Sequence, residues 1–257
     1  MNIEVDSQTR QVQLTQLAVL KDLIAVFDRE NIEYVAVGGT ALGAIRHQGF
    51  IPWDDDIDIA MTRDNYERFL SLQSELPESL FIQTAETDKH YSLYFAKVRR
   101  NNTRFVEAGF ENAKIHQGIF IDVFPLDRGL DNTQDKDEIN ELIRRFSRVT
   151  KFYAGIVGCF KSLFYRAIYP PSLTAYKKVN DAMTRYNQQG DKRWVGFHGD
   201  DFFTDAELYP VRRLPFEDIE ICVPNQLEKY LTDKYGNYME IPPENQRITH
   251  NPVEISL

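Results

Sequence analysis

Four aspartates within five positions follow a Gly-Gly turn, and this combination constrains the fold of the 257-residue chain more than any other feature. The stretch reads Ile51-Pro52-Trp53-Asp54-Asp55-Asp56-Ile57-Asp58-Ile59 and comes shortly after Val37-Gly38-Gly39-Thr40. Like charges at this density repel one another unless a cation binds between them. Acidic and apolar residues alternate from Asp56 onward, so a strand here places the Asp56 and Asp58 side chains on one face. Mg2+ and Mn2+ prefer oxygen ligands, and the sequence therefore predicts a divalent metal site at these two residues.

The acidic stretch is also compatible with a calcium loop or a solvated turn. Counted from Asp54, acids occupy the first, third and fifth positions of an EF-hand loop, but Ile59 and Asn65 replace the required glycine and glutamate. A solvated acidic turn is a common fate of such clusters. The apolar residues on both sides, Trp53 among them, favour a buried strand end instead.

Composition sets broad limits on fold and location. Apolar residues make up 42% of the chain, enough for a large core in one or two domains. The net charge of -9 argues against non-specific nucleic-acid binding. Cys159 and Cys222 form neither a zinc motif nor a disulfide framework, and the sequence shows no signal peptide and no membrane-spanning apolar run. We therefore expect a cytoplasmic protein.

Periodicity and capping signals predict a mixture of helices and strands. Helices are predicted over 8–30, from Thr40 onward, from Asp64 toward Leu76 with Glu67 completing a capping box, and from Asn225 with Glu228 until Gly236. Predicted strands cover 34–37, 57–59, 91–98, 118–124 and 219–223, and residues 132–190 are mostly helical. The predicted organisation is a catalytic core over 1–130, a helical insertion over 131–212, and a segment over 213–257 that completes the catalytic domain.

The Gly38-Gly39 pair stands between a predicted strand and a predicted helix. Such a turn brings backbone N–H groups to the positive end of a helix, where many proteins hold phosphate. The glycine spacing matches neither a Walker A loop nor the dinucleotide fingerprint. A Gly-Gly pair alone is commonly a plain tight turn, but the acidic strand that follows it predicts a phosphate site facing a metal site.

Three blocks of sequence carry a family resemblance. The first joins Val37–His47 to Gly49–Ile59, the second joins Lys97-Val98-Arg99 and Asn102-Thr103 to Gly118–Asp127, and the third runs from Tyr235 to His250. Together they resemble the LicD family of phosphotransferases, which is related to fukutin and the fukutin-related protein. The resemblance covers residues 32–66, 91–127 and roughly 214–250. It implies an α/β (α+β) fold with a nucleotidyltransferase-type mixed sheet, flanking helices and a helical insertion.

The resemblance also implies an activity and its catalytic residues. The expected reaction moves phosphocholine, or a similar phospho-group, from CDP-choline to a sugar hydroxyl of a cell-surface glycan such as a lipopolysaccharide or teichoic-acid precursor, with Mg2+ or Mn2+ as cofactor. Asp56, Asp58 and Asp122 are the implied catalytic and metal-binding residues, and Asp122 is placed to take the proton of the acceptor hydroxyl. A lone carboxylate inside an apolar strand is costly without a cation or donor. The alternative for Asp122 is a cap or an ion pair with Arg99.

Further residues are predicted to bind the nucleotide or its phosphates. They are the turn and helix residues Gly38, Gly39 and Thr40, and the basic residues Arg46, Lys97, Arg99 and Arg247. Lys97 and Arg99 share one strand face, although solvated surface charges or surface ion pairs would explain any of the basic residues equally well. Asp54 and Asp55 are expected to hold the turn before the strand. Choline requires aromatic faces, for which Tyr91, Tyr94, Phe110 and Trp194 are available.

Two other functions fit part of the pattern. An Asp-x-Asp glycosyltransferase also binds a nucleotide diphosphate through metal, but it has no need of Gly38-Gly39. A non-catalytic nucleotide-binding module would tolerate the loss of Asp122, and the presence of all three acids argues against it.

The segment 142–178 has an unusual composition. It contains eight Lys or Arg, eight aromatic residues and no Asp or Glu, which predicts an amphipathic helix on an anionic membrane surface. Such contact would hold the protein at the inner face of the membrane, near a lipid-linked acceptor. The alternative is that these helices pack onto the acidic catalytic half with their aromatic side chains inward.

Overall fold

The computed structural model describes residues 5–129, 133–148, 173–189, 193–196, 201–247, 249–250 and 252–257, and it centres on a mixed β-sheet. The described strands, in chain order, are β1 Val35–Ala36, β2 Asp58–Thr62, β3 Leu80–Gln83, β4 Ala96–Arg100, β5 Arg104–Val106, β6 Phe120–Gly129, β7 Arg193–Gly196, β8 Asp201–Phe203, β9 Arg212–Phe216, β10 Ile219–Val223 and β11 Glu254–Ser256. This mixed sheet with flanking helices confirms the predicted α+β class.

The register of the central strands places the acidic residues. The sheet has the order β1-β2-β6-β4-β3, and β7 and β8 extend it from the far end of β6. Strands β2 and β6 run parallel with Asp58 opposite Asp122, whereas β4 and β6 run antiparallel with Lys97 opposite Asp122. Three charged residues from distant parts of the chain therefore lie in one row across the sheet.

Helices cover the sheet and bury its apolar residues. Their bounds are α1 Ser7–Glu30, α2 Gly38–His47, α3 Arg63–Leu70, α4 Thr133–Arg148, α5 Leu173–Met183, α6 Asp205–Leu208 and α7 Leu227–Tyr235. The predicted helix over 8–30 is confirmed as α1, which begins after Asp6, whose carboxylate accepts from the N–H groups of Gln8 and Thr9. Leu20 and Phe27 on its inner face are fully buried, as the helical spacing predicted, and Leu23 is buried beside them, whereas Leu14 of the same predicted series is exposed.

Two glutamines of α1 hold the acidic stretch against the core. Gln13 and Gln16 are fully buried. The Gln13 side chain donates to the carbonyl of Asp54 at 2.8 Å, and the Gln16 side chain donates to the carbonyl of Asp55 at 2.8 Å. Because buried carbonyl groups require hydrogen-bond partners, these two bonds fix the path of the chain just before β2.

Two predicted capping boxes are wrong. Helix α3 starts at Arg63 after Thr62, so Asp64 lies inside its first turn, and none of the described side chains caps the helix. Helix α7 follows Gln226, while the Asn225 side chain donates to the carbonyls of Ala206 and Tyr209. For Asn225, tertiary contacts outweighed a local preference. Helix α7 does end at Gly236, which has a φ of +66°, as predicted.

A buried ion pair attaches the α5 region to the sheet. Arg63 on α3 donates to both carboxylate oxygens of Asp127 on β6, at 2.8 and 2.5 Å. Asn180 accepts from Arg63 at 3.0 Å, and Asn187 donates to Asp127 at 2.7 Å. Strands β7 and β8 also fall within the segment predicted as a helical insertion. Strand β7 pairs with β6, and β8 pairs with β7.

The predicted membrane-surface helix over 142–178 lies partly outside the described residues, since 149–172 are not among them. At its two ends, Phe146 and Tyr176 are buried and their ring centroids are 6.0 Å apart. These two aromatic residues therefore face inward. Among the described helices, none has the length and apolar character needed to span a bilayer.

Candidate active site

Three carboxylates converge at the edge of β2 and β6. Asp56, Asp58 and Asp122 each offer a ligand oxygen, and these oxygens lie within 4.8 Å of one another. Asp56 precedes β2, Asp58 begins it, and Asp122 is the third residue of β6. The structure thus brings together the residues that the sequence identified, while their role as metal ligands stays a prediction.

Burial and mutual repulsion set the electrostatics of this cluster. Burial raises the pKa of Asp58 well above its ordinary value, and the charges of Asp56 and Asp122 raise it further. Burial also raises the pKa of Asp56, and it raises the pKa of Asp122 to about 6 although Lys97 opposes this shift. The carboxylates therefore lack sufficient positive charge from the described residues around them.

The donor set fits a hard divalent cation. Asp122 Oδ1 is buried and accepts no hydrogen bond from the described residues, although Lys97 Nζ lies 3.0 Å from it and donates to the other oxygen, Oδ2, at 3.3 Å. Only carboxylate oxygens make up the set of Asp56, Asp58 and Asp122. Mg2+ and Mn2+ take such ligands, and a bound ion would give Asp122 Oδ1 a second positively charged neighbour beside Lys97.

Thr40 positions Asp58 rather than standing free for a phosphate. The backbone N–H of Asp58 donates to the Thr40 hydroxyl at 2.8 Å. Thr40 is itself buried within α2. Its hydroxyl therefore ties the first turn of the helix to the first residue of β2.

The predicted phosphate role of Lys97 and Arg99 conflicts with their surroundings. They share one face of β4, as expected, but each is only 2% exposed. Lys97 pairs with Asp122 and, at 3.4 Å, with Glu107, whereas Arg99 donates to Gln83 and to the Gly118 carbonyl. Arg99 is thus a structural residue, and Lys97 compensates the buried acids. Strand alternation predicted their shared face but not that Asp122 lies opposite Lys97.

The Gly38-Gly39 turn also differs from the expected phosphate site. Helix α2 already begins at Gly38, and the Gly38 N–H donates to the Tyr230 hydroxyl at 2.9 Å. Tyr230 in turn donates to the buried Asp201 at 2.7 Å, and Lys234 donates to the same Asp201 oxygen at 2.8 Å. The Gly38 N–H is therefore occupied by a protein acceptor.

Gly39 is constrained by the neighbouring Asp54. A methyl group added at Gly39 would lie 2.5 Å from Asp54 Oδ2. We expect Gly39→Ala to displace this carboxylate and to lower the free energy of unfolding by about 1–3 kcal/mol, the range for overpacking. Urea unfolding of Gly39→Ala, Asp54→Ala and the double variant measures the coupling. If the loss in Gly39→Ala persists in the double variant, the clash with Asp54 is not its cause.

His250 was not among the site residues predicted from the sequence. Its Nδ1 lies 2.8 Å from Asp55 Oδ1, and its Nε2 lies 3.7 Å from Asp56. Burial lowers the pKa of His250, but the hydrogen bond to Asp55 and the charges of Asp55 and Asp56 outweigh burial and raise it to about 9. The third block of the family resemblance ended at this residue and was the signal that could have identified it.

The C-terminal segment carries His250 to the acidic cluster. Strand β11 pairs with β5, and the exposed pair of Arg104 and Glu254 joins the two strands at 2.6 and 2.8 Å. The Asp55 carboxylate accepts from the backbone N–H of His250 as well. The Asp55 carboxylate therefore holds the C-terminal segment in place, whereas the sequence led us to expect it to hold the turn before β2.

An open cleft of about 550 Å³ lies beside the carboxylates. Its acidic lining consists of Asp54, Asp56, Asp58 and Glu240. Arg46 lines it too, but Arg46 donates to the carbonyls of Tyr238 and Glu240 and so supports the loop after α7. The predicted phosphate ligand Arg247 instead lies over the Trp53 ring, 4.6 Å from the centroid.

The aromatic residues suggested for choline lie elsewhere. Tyr91 and Tyr94 are buried in the core. Trp194 donates to Asp205 and is stacked against Arg128. The aromatic residues that line the cleft, among those described, are Trp53, Tyr235 and Tyr238.

The chain is similar to several known proteins. A family model described as LicD/FKTN/FKRP, nucleotidyltransferase domain, matches residues 31–153. The chain is 29% identical to the lipopolysaccharide cholinephosphotransferase LicD of Haemophilus influenzae over 272 residues, covering 94% of this chain and 95% of the relative. An uncharacterized protein of Rickettsia typhi is 39% identical over 88 residues, covering 34% of this chain and 26% of that protein. An uncharacterized protein of Rickettsia prowazekii is 42% identical over 65 residues, covering 25% and 23% respectively.

Proposed function

We propose that this chain, whose resemblance to the LicD family the comparisons confirm, is a transferase that moves phosphocholine from a CDP-linked donor to a hydroxyl group of a glycan. The observation that carries the proposal is the convergence of Asp56, Asp58 and Asp122 beside an open cleft. The choice of phosphocholine rests on the Haemophilus influenzae relative, which aligns with nearly the whole chain and is a lipopolysaccharide cholinephosphotransferase. A lipopolysaccharide or teichoic-acid precursor, free or lipid-linked, is the proposed acceptor.

The three carboxylates would hold Mg2+ or Mn2+. When bound, the cation supplies positive charge to the phosphate oxygens of the donor. Asp56 and Asp58 border the cleft and face the donor, whereas Asp122 lies behind them at 6% exposure. Lys97, fixed between Asp122 and Glu107, orients the Asp122 carboxylate.

The proposed reaction forms and breaks one bond at phosphorus. The acceptor hydroxyl oxygen attacks the phosphorus that bears choline, and the bond from this phosphorus to the oxygen bridging to CMP breaks. CMP leaves with that oxygen, and the hydroxyl proton passes to a carboxylate that borders the cleft, Asp56 or Asp58, because Asp122, the base expected from the sequence, lies behind them. Holding both reactants in the cleft supplies much of the remaining rate by orientation.

Product analysis tests this function directly. The protein is incubated with Mg2+, a glycan acceptor and, separately, CDP-choline, CDP-ethanolamine or UDP-glucose, and the products are weighed by mass spectrometry. We expect an acceptor that gains one phosphocholine and an equal amount of CMP. Transfer of a sugar would identify an Asp-x-Asp glycosyltransferase. Binding of the donors without any product would identify a non-catalytic module.

A further inference from the structure

The chemistry of phosphocholine restricts where its ammonium group binds. One oxygen and two carbons separate the phosphorus from the nitrogen, so the two atoms cannot lie far apart. If the phosphorus lies at the Asp56 and Asp58 carboxylates, the trimethylammonium group must lie in the cleft that these residues border. A quaternary ammonium group offers no N–H to donate, and proteins bind it on aromatic faces.

Tyr235 is the aromatic residue that the structure places next to the carboxylates. A Cβ atom built on Gly38 would lie 3.0 Å from Asp58 Oδ2 and 3.9 Å from the Tyr235 hydroxyl oxygen. Both groups therefore border the same point at the start of α2. Tyr235 is 42% exposed, so its side chain is accessible from the cleft.

Trp53, which also lines the cleft, already has a cation over its ring. The Arg247 guanidinium lies 4.6 Å from the centroid of Trp53. Tyr238 also lines the cleft and belongs to the loop after α7. Arg46 donates to the carbonyls of Tyr238 and Glu240 and so holds this loop in place. Asp54 and Glu240 add negative charge to this lining, which favours a cationic ligand.

We propose that Tyr235 and Tyr238 form the subsite that receives the trimethylammonium group of the donor. The inference rests on the proposed function and extends it, because it assigns the residues that select choline over a smaller amine. The competing role for these rings is stacking on the cytosine base. That role predicts an effect on every cytidine nucleotide, whereas a choline subsite affects choline-bearing donors alone.

Binding measurements separate these roles without requiring turnover. Isothermal calorimetry in Mg2+ gives the Kd values of CDP-choline, CDP-ethanolamine and CMP for the full chain and its variants. We expect Tyr235→Leu and Tyr238→Leu each to weaken CDP-choline binding about tenfold, within the range of cation–π contacts. The Kd of CMP should stay within about twofold of the wild-type value. Tyr235→Phe keeps the ring and should keep the preference for CDP-choline.

Trp194→Leu provides the matched control. Trp194 lies on β7 outside the cleft lining, so its replacement should leave all three Kd values unchanged. Thermal unfolding of each variant verifies that it is folded.

Each possible result of these measurements either supports or contradicts the proposed subsite. Equal wild-type affinity for CDP-choline and CDP-ethanolamine overturns it, as does a tenfold loss of CMP affinity in the leucine variants. If the protein turns over CDP-choline and both leucine variants still bind it more tightly than CDP-ethanolamine, the subsite is wrong but the proposed function stands. If the leucine variants no longer prefer CDP-choline, the subsite is supported, even when no acceptor is modified. The absence of any modified acceptor would contradict the proposed reaction but not the subsite.

Discussion

Replacing Asp58 by asparagine should lower the rate of transfer by about a thousandfold or more and leave the fold intact. The amide is close to the carboxylate in shape, but it lacks the charge that Mg2+ or Mn2+ requires from this ligand. Loss of charge stabilisation at a transferring phosphorus costs several kcal/mol of activation free energy, and each factor of ten in rate corresponds to about 1.4 kcal/mol. Steady-state kinetics at saturating Mg2+ gives the comparison.

The stability of the same variant should move in the opposite direction. Burial and the neighbouring charges of Asp56 and Asp122 raise the pKa of Asp58, so the ionised group is disfavoured in the metal-free protein. A neutral side chain relieves this repulsion, and Asp58→Asn should resist urea as well as the wild type or better. Asp64→Asn, at an exposed position in the first turn of α3, is the matched control and should change neither quantity. If Asp58→Asn catalyses transfer at the wild-type rate, the carboxylate cluster has no part in catalysis.

Strand periodicity predicted that Asp56 and Asp58 share a face, and the family resemblance added Asp122 to them. Asp56 and Asp58 follow one another at strand spacing, and Asp122 stands alone in an apolar strand. The parallel register of β2 and β6 then brings Asp58 opposite Asp122. Such residues are recognisable from the sequence because burial of a carboxylate demands a cation or a donor.

The partners of the neighbouring groups could not be predicted in this way. The acceptor for the Gly38 N–H is Tyr230, which lies 192 positions further along the chain. The alternation in β4 assigned a common face to Lys97 and Arg99, but only the pairing of β4 with β6 shows that Asp122 lies beside Lys97. The periodicity of a sequence predicts which face of a strand or helix a residue occupies, but it does not predict which residues of other elements lie next to that face.

Replacing Lys97 by methionine should destabilise the metal-free protein by about 3–5 kcal/mol, the cost of leaving a buried charge without its partner. Lys97 Nζ lies 3.0 Å from Asp122 and 3.4 Å from Glu107, and it stands over the Phe120 ring at 3.3 Å. Methionine fills a similar volume, so lost packing contributes little. The loss should appear in urea unfolding without metal. Lys89→Met, at an exposed position, is the control and should stay within about 0.5 kcal/mol of the wild type.

Mg2+ should restore part of the stability that Lys97→Met loses. A cation bound by Asp56, Asp58 and Asp122 supplies the positive charge that the lysine provided, and a ligand that binds only the folded state stabilises it. The midpoint of unfolding should therefore rise more with added Mg2+ in Lys97→Met than in the wild type. Adding Asp58→Asn to Lys97→Met removes a ligand and should abolish this extra rise. If Lys97→Met without metal is as stable as the wild type, Lys97 does not compensate the buried acids. If Mg2+ raises the unfolding midpoint of both proteins equally, Lys97 does not share the carboxylates with the metal.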